Sequence, residues 1–73
     1  MQEKIQTKYM IYTYHNNQRH YLLKDGSLAL LNQYSFNKYR SYILKASARK
    51  LARKKTRDSG YLHQFSIIQV VFN

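Results

Sequence analysis

Residues 35–57 read Ser-Phe-Asn-Lys-Tyr-Arg-Ser-Tyr-Ile-Leu-Lys-Ala-Ser-Ala-Arg-Lys-Leu-Ala-Arg-Lys-Lys-Thr-Arg. The stretch holds no Gly or Pro and is rich in Ala, Leu, Lys and Arg, all good helix formers. Ser35 stands where an N-cap belongs. Asp58-Ser59-Gly60 supplies a stop, Gly60 being a natural terminator. At the helical period, Phe36, Tyr39, Ile43, Leu44, Ser47 and Leu51 share one side, while Lys38, Tyr42, Lys45, Arg49 and Arg53 share the other. The spacing predicts one amphipathic basic helix over about 35–57.

The flanks read as strands. Residues 8–14, Lys-Tyr-Met-Ile-Tyr-Thr-Tyr, are aromatic and β-branched, with Tyr9, Ile11 and Thr13 on one face and Met10, Tyr12 and Tyr14 on the other. His15-Asn-Asn-Gln18 is a polar turn, and a second strand follows at about 19–24. Asp25-Gly26 is the strongest hairpin signal in the chain and leads to a short third strand at about 27–31. After the helix, residues 63–72 alternate again, with Phe65, Ile67, Gln69 and Val71 opposite Ser66, Ile68, Val70 and Phe72. Neither set is polar, which predicts a central strand inserted beside the first. The fold class is α+β: one small domain spanning 1–73, its order β-β-β-α-β. Its three- to four-stranded, mostly antiparallel sheet is packed by the one helix. One helix covers one face, so the second face is read either as an open aromatic surface, able to bind a partner or close a homodimer, or as half-buried core with the tyrosine hydroxyls at its rim, the commoner fate of such residues.

Composition narrows the function classes. Thirteen Lys+Arg stand against three Asp+Glu, a formal charge of +10, and there is no Cys. Disulfide stapling and Cys-ligated zinc are therefore excluded. With hydrophobic residues at 44%, the chain is too apolar for a disordered tail. Met1–Lys8 holds Glu3, Lys4 and Lys8 and no apolar core of a signal peptide. The longest apolar runs, Ser27–Leu31 and Ile67–Phe72, fall far below the ~20 residues of a membrane span. The expected location is cytoplasmic, in the host cytoplasm if a phage encodes the chain, with no membrane partner. A basic helix can lie on anionic lipid. Here Arg40, Ser47 and Lys54 interrupt the apolar side, which suits packing on the chain's own sheet instead.

The excess charge has one source. Nine of the thirteen Lys and Arg fall within 37–57, with no acid among them. Like charges at i,i+4, such as Lys45–Arg49 and Arg49–Arg53, destabilise the isolated helix. A solvated face is the commonest fate of a charge run; the lack of balancing acids here points instead to an anionic partner. Nucleic-acid phosphates are the commonest such partner. The expected contacts are Lys38, Lys45, Arg49, Lys50, Arg53, Lys54, Lys55 and Arg57, with Tyr42 stacking on a base or sugar. An acidic or nucleic-acid-binding host protein is the alternative. Tyr9, Tyr12, Tyr14, Tyr21 and Tyr61 are further stacking candidates, although the chain has no RNP1-like sequence, no KH-type GxxG loop and no zinc knuckle.

Chemistry is sparse. The only carboxylates are Glu3, Asp25 and Asp58, and the turn and the helix end account for the last two. No Ser-His-Asp order, Gly-rich phosphate loop or HExxH is present. His15 and His20 lie across a turn, but no spacing with His63 builds a three- or four-ligand metal site. The expectation is a binding protein, not an enzyme, with no cofactor and no metal.

The chain also resembles the short accessory proteins of phages and mobile elements. The likeness rests on the Tyr-rich strand Lys8-Tyr-Met-Ile-Tyr12, the Tyr21-Leu22 pair near a tight hairpin, the Phe-led basic helix with alanines from Phe36 to Lys55, and the final Phe65-Ser-Ile-Ile-Gln-Val70 strand. It spans most of the chain and carries over no catalytic residue. The resemblance implies an accessory or anti-defence factor that binds nucleic acid or a host protein.

Overall fold

The sheet is organised around its first strand. The computed structural model describes residues 6–72; residues 1–5, Asn73 and the side chain of Phe72 lie outside that description, and with them the expectation for the N-terminal segment. Strand β1 (Gln6–His15) pairs on one edge with the last strand, β5 (Ser66–Phe72), in antiparallel register from Gln6↔Phe72 to Tyr12↔Ser66. On its other edge β1 takes two partners in succession. Strand β2 (Gln18–Leu22) pairs from His15↔Gln18 to Tyr12↔Tyr21. Strand β4 (Ser41–Tyr42) then pairs at Met10↔Ser41 and Tyr9↔Tyr42. Strand β3 (Leu28–Ala29) lies outside β2, with Tyr21 opposite Ala29.

The turns follow their residues. Asn16 and Asn17 hold φ of 52° and 65°, the two positive values of a type I′ turn, which fixes the β1–β2 register. At the second hairpin Asp25 Oδ1 accepts hydrogen bonds from the backbone N–H and the hydroxyl of Ser27, at 2.9 and 2.6 Å. The Ser27 hydroxyl, then its N–H, hold the Asp25 carboxyl below the ordinary carboxylate range. Gly26 sits at φ 93° and closes the loop.

The α+β class stands, and the long helix does not. Residues 36–38 form a single 3-10 turn, residues 41–42 form β4, and the helix α1 runs Lys45–Asp58. Ser35 precedes the short turn with no side-chain cap, and the residue before α1 is Leu44. The reason is an unmet demand in the sheet. Beyond Tyr12, β2 diverges from β1, so the backbone groups of Tyr9 and Met10 need partners. The chain at 38–42 fills this fork: Lys24 N–H donates to Lys38 O at 3.0 Å, and Arg40 N–H to Leu22 O at 2.9 Å. Tyr39 pairs with Leu23 and is 1% exposed. Aromatic Tyr39 and Tyr42 accept extended backbone readily, and tertiary pairing overrides helix propensity. The order is thus β-β-β-β-α-β, and α1 stops where Asp58-Ser59-Gly60 placed its end.

Both faces of the sheet are covered. Under α1 lie Ile11, Leu22, Ala48 and Ala52, with Tyr9, Tyr42, Leu51, Phe65 and Ile67 packed around them. On the other face Met10, Tyr21, Leu23, Ala29 and Tyr39 form a second cluster with Tyr12, Ile68 and Val70. The second face is therefore a second small core, closed by Tyr39 and Ala29, which agrees with the half-buried reading of the tyrosines and not with the open surface. Strand β5, expected to be central, lies at the sheet's edge beside β1, with no second strand partner among the described residues. Its apolar residues are explained by the two clusters, one on each of its faces.

Candidate nucleic-acid interface

Small residues decide which side of α1 faces inward. Ala48, Ala52 and Thr56 recur every fourth residue and are buried. Their short side chains let the helix approach Ile11 and Leu22 closely. Of the expected inward side, only Ser47 and Leu51 lie on α1, and both are half-buried flanks of the alanine stripe; Phe36, Ile43 and Leu44 precede the helix and are exposed. Thr56 ties the helix end to the sheet. Its hydroxyl donates to Ala52 O at 2.9 Å and accepts from Phe65 N–H at 2.9 Å. One strand over, the buried Thr13 hydroxyl donates to Gln64 O at 2.9 Å.

With that stripe fixed, the cations emerge on the outside. Lys45, Arg49, Arg53 and Arg57 form one exposed row at i,i+4 spacing, winding over about 18 Å of helix at 1.5 Å per residue. Lys50 and Lys54 form an adjacent exposed row, and Lys55 is half-buried at the flank. Arg49, Lys50, Arg53, Lys54 and Arg57 border a shallow depression along the helix with Ala46 at one end. Seven Lys and Arg share α1 with one acid, Asp58 at its last position. Of the other two carboxylates, Asp25 is engaged by Ser27, and Glu3 lies outside the described residues. Lys55 and Arg57 in the last turn suit the macrodipole; Lys45 in the first turn opposes it.

Seven of the nine expected contact residues thus share α1, and two leave it. Lys38 lies beside the β2–β3 hairpin, in a cleft shared with Lys24, Asp25 and Tyr34. Tyr42 packs in the core cluster beneath α1, its hydroxyl accepting from Arg40 Nη1 at 3.2 Å. It has no place in the cationic rows, because residue 42 is in a strand and the helical spacing that put it there does not apply. Among the other tyrosines, Tyr21 is buried, Tyr9 and Tyr12 are half-buried on opposite faces, and Tyr14 and Tyr61 are exposed. Arg19 lies over the Tyr12 ring, 4.6 Å from its centroid, and its Nε donates to Tyr14 Oη at 3.1 Å. That hydrogen bond, with one to Tyr21, holds the guanidinium still more firmly in its charged form. The Tyr14↔Arg19 pairing follows from the two-Asn turn and was accessible to register arguments.

His15 and His20 do meet across their turn, with ring centroids 5.5 Å apart, and His63 stands 6.5 Å from His15. Among the described residues no group of three or more His, Cys, Asp and Glu is arranged to hold a metal ion. No described helix is long and apolar enough to cross a membrane. No known protein family matches this chain, and no curated protein or solved structure is significantly similar to it.

Proposed function

We propose that this chain is a small accessory protein, phage- or mobile-element-encoded, that binds nucleic acid through the outer face of α1. The observation that carries the reading is the exposure of Lys45, Arg49, Lys50, Arg53, Lys54 and Arg57 on one helix whose other side is fixed to the sheet by Ala48, Ala52 and Thr56. These cations repel one another along the helix, and an anionic backbone relieves that repulsion. Phosphate contacts position a protein without reading sequence, so sequence preference is weak. With five phosphates neutralised, log K falls with log salt at a slope of roughly −4.5 on duplex DNA and roughly −3.5 on a single strand.

Fluorescence anisotropy with labelled single-stranded DNA, duplex DNA and RNA, from low to physiological salt, tests the reading. The double variant Arg49→Glu/Arg53→Glu loses binding at physiological salt. Its melting temperature stays within a few degrees, because both positions are exposed and the change creates favourable pairs with Lys45 and Arg57. Retained affinity in the double variant overturns the assignment.

Ile43 and Leu44 favour a second reading. They are 75% and 67% exposed immediately before the first turn of α1. An apolar step beside a cationic face suits an acidic or nucleic-acid-binding host protein, as an anti-defence inhibitor or adaptor would use it. In that case wild-type binding to all three nucleic acids is equally weak and vanishes at physiological salt.

A further inference from the structure

At its C-terminal end the cationic face of α1 runs into a cleft of about 290 Å³, lined by Arg53, Thr56, Arg57, Tyr61, Gln64 and Phe65. The helix ends in a Schellman motif: Tyr61 N–H donates to Thr56 O at 3.1 Å and Gly60 N–H to Arg57 O at 2.9 Å. Gly60 takes the left-handed conformation this motif requires, with φ 67°. Tyr61 takes it as well, with φ 63°, where a bulky residue is a steric outlier. The ring contributes little to the core, since Tyr61 is 75% exposed. A position that Asn or Gly would fill with less strain therefore carries a large exposed aromatic, on a cleft that the side chains of Arg53 and Arg57 also line. The wall behind it is firm, because Thr56 binds both Ala52 O and Phe65 N–H, and Thr13 holds Gln64 O.

We infer that this cleft is a stacking subsite for one unpaired nucleobase, with Tyr61 as the platform and Arg53 and Arg57 on the adjoining phosphates. The inference rests on the nucleic-acid reading of α1 and gives it a direction: the ligand is single-stranded. A duplex offers its phosphates to the helix rows but keeps its bases stacked and out of reach of Tyr61. Base–aromatic stacking is tolerant of sequence, since every base has a π-face, so the subsite adds affinity for single strands without adding a motif. Gln64 at the cleft edge supplies an amide able to hydrogen-bond a base edge.

The test uses the full chain, a short labelled single strand, the duplex of the same sequence, and a single strand in which the central bases are replaced by abasic sites. Wild-type protein binds the intact single strand most tightly and loses that advantage on the abasic strand. Tyr61→Asn removes the ring while suiting the backbone, so its melting temperature holds or rises. Its single-strand affinity falls about 5- to 100-fold, while its duplex affinity and abasic-strand affinity stay near those of the wild type. Tyr61→Phe keeps single-strand binding within about threefold, because stacking needs the ring and not the hydroxyl. Equal binding of intact and abasic strands by wild-type protein overturns the subsite and leaves the cationic face standing, provided Arg49→Glu/Arg53→Glu still abolishes binding. Unchanged single-strand affinity in Tyr61→Asn overturns it in the same way. If that double variant binds as the wild type does, the cationic face and the subsite fall together.

Discussion

Arg40 and Arg53 carry the same group on neighbouring elements and meet opposite fates. Arg40, between the 3-10 turn and β4, donates from Nη1 to Tyr42 Oη at 3.2 Å and from Nη2 to Lys24 O at 2.9 Å. It ties β4 to the end of β2, and among the described residues its buried Nε has no hydrogen-bond partner. Arg53, one helix further on, faces outward among Arg49, Lys50, Lys54 and Arg57. The difference lies in the acceptors nearby. Extended chain at 39–42 brings the carbonyl of Lys24 and the phenol of Tyr42 within reach of Arg40. A helix directs its own carbonyls along its axis into its own hydrogen bonds, so its outer face offers a guanidinium nothing but like charges. Arg40 ties two strands together, whereas the outer cations of α1 face solvent beside one another.

The most severe way to break that contrast is to remove what anchors the strand region. Tyr39 is 1% exposed, packs edge-on to Tyr21, and donates its hydroxyl to Leu30 O. Tyr39→Ala should lower unfolding stability by about 3–5 kcal/mol in urea titration, the range for losing a buried aromatic. In a small domain that is a large share of the total. A loss under about 1 kcal/mol would show that residues 38–42 do not hold the two cores together.

Arg40 comes next. Arg40→Ala should lose about 1–3 kcal/mol, since two charge-assisted hydrogen bonds vanish. Arg40→Lys should recover little of it, because an ammonium cannot span both acceptors as the fork does. Nucleic-acid affinity, measured well below the midpoint of unfolding, stays unchanged in both. A drop in affinity comparable to that of Arg49→Glu/Arg53→Glu would move Arg40 into the interface and dissolve the contrast.

The same contrast explains what the sequence made legible. The first strand, the two-Asn turn, the Asp25-Gly26 hairpin and the helix stop rest on local chemistry, and they stand; the pairing of the last strand with the first, read from its apolar faces, stands too, although the strand is an edge and not central. The helix start was not legible, because Phe36-Asn-Lys-Tyr39 and Lys45-Ala-Ser-Ala48 are both compatible with a helix locally. The choice between them is made by the fork between β1 and β2, a demand that no local window contains. The inward face of α1 was displaced for a related reason. Hydrophobicity favours Leu51, but close approach to Ile11 and Leu22 favours alanine. Of the expected site, the seven α1 cations follow from charge alone. Lys38 and Tyr42 depended on the false continuation of the helix and separate from it together. Tyr61 was visible as an aromatic beside the helix end, whereas its left-handed backbone and its cleft with Gln64 and Phe65 depend on how residues 60–65 return to the sheet.

The gentlest change separates the two groups of cations most cleanly. Lys38 and Lys54 are both exposed lysines, and in the sequence both belong to the same basic run. Lys38 shares its cleft with Asp25 and Lys24, away from the helix rows, and its charge adds only a minor part to the lowering of the Asp25 carboxyl. That lowering comes chiefly from Ser27, so it survives loss of the lysine. A carboxyl with a lowered folded-state value stabilises above its unfolded pKa and loses the effect as pH falls through the folded value. Lys38→Gln should therefore leave both the neutral-pH stability and the acid limb of the hairpin nearly as they are. Its nucleic-acid affinity and salt slope should also stay put, within about twofold. If α1 binds nucleic acid as proposed, Lys54→Gln costs one phosphate contact, and the salt slope should become shallower by roughly 0.9 on duplex DNA. Slopes made equally shallow in the two variants would place both lysines in one interface, and an unchanged slope in Lys54→Gln would take Lys54 out of it.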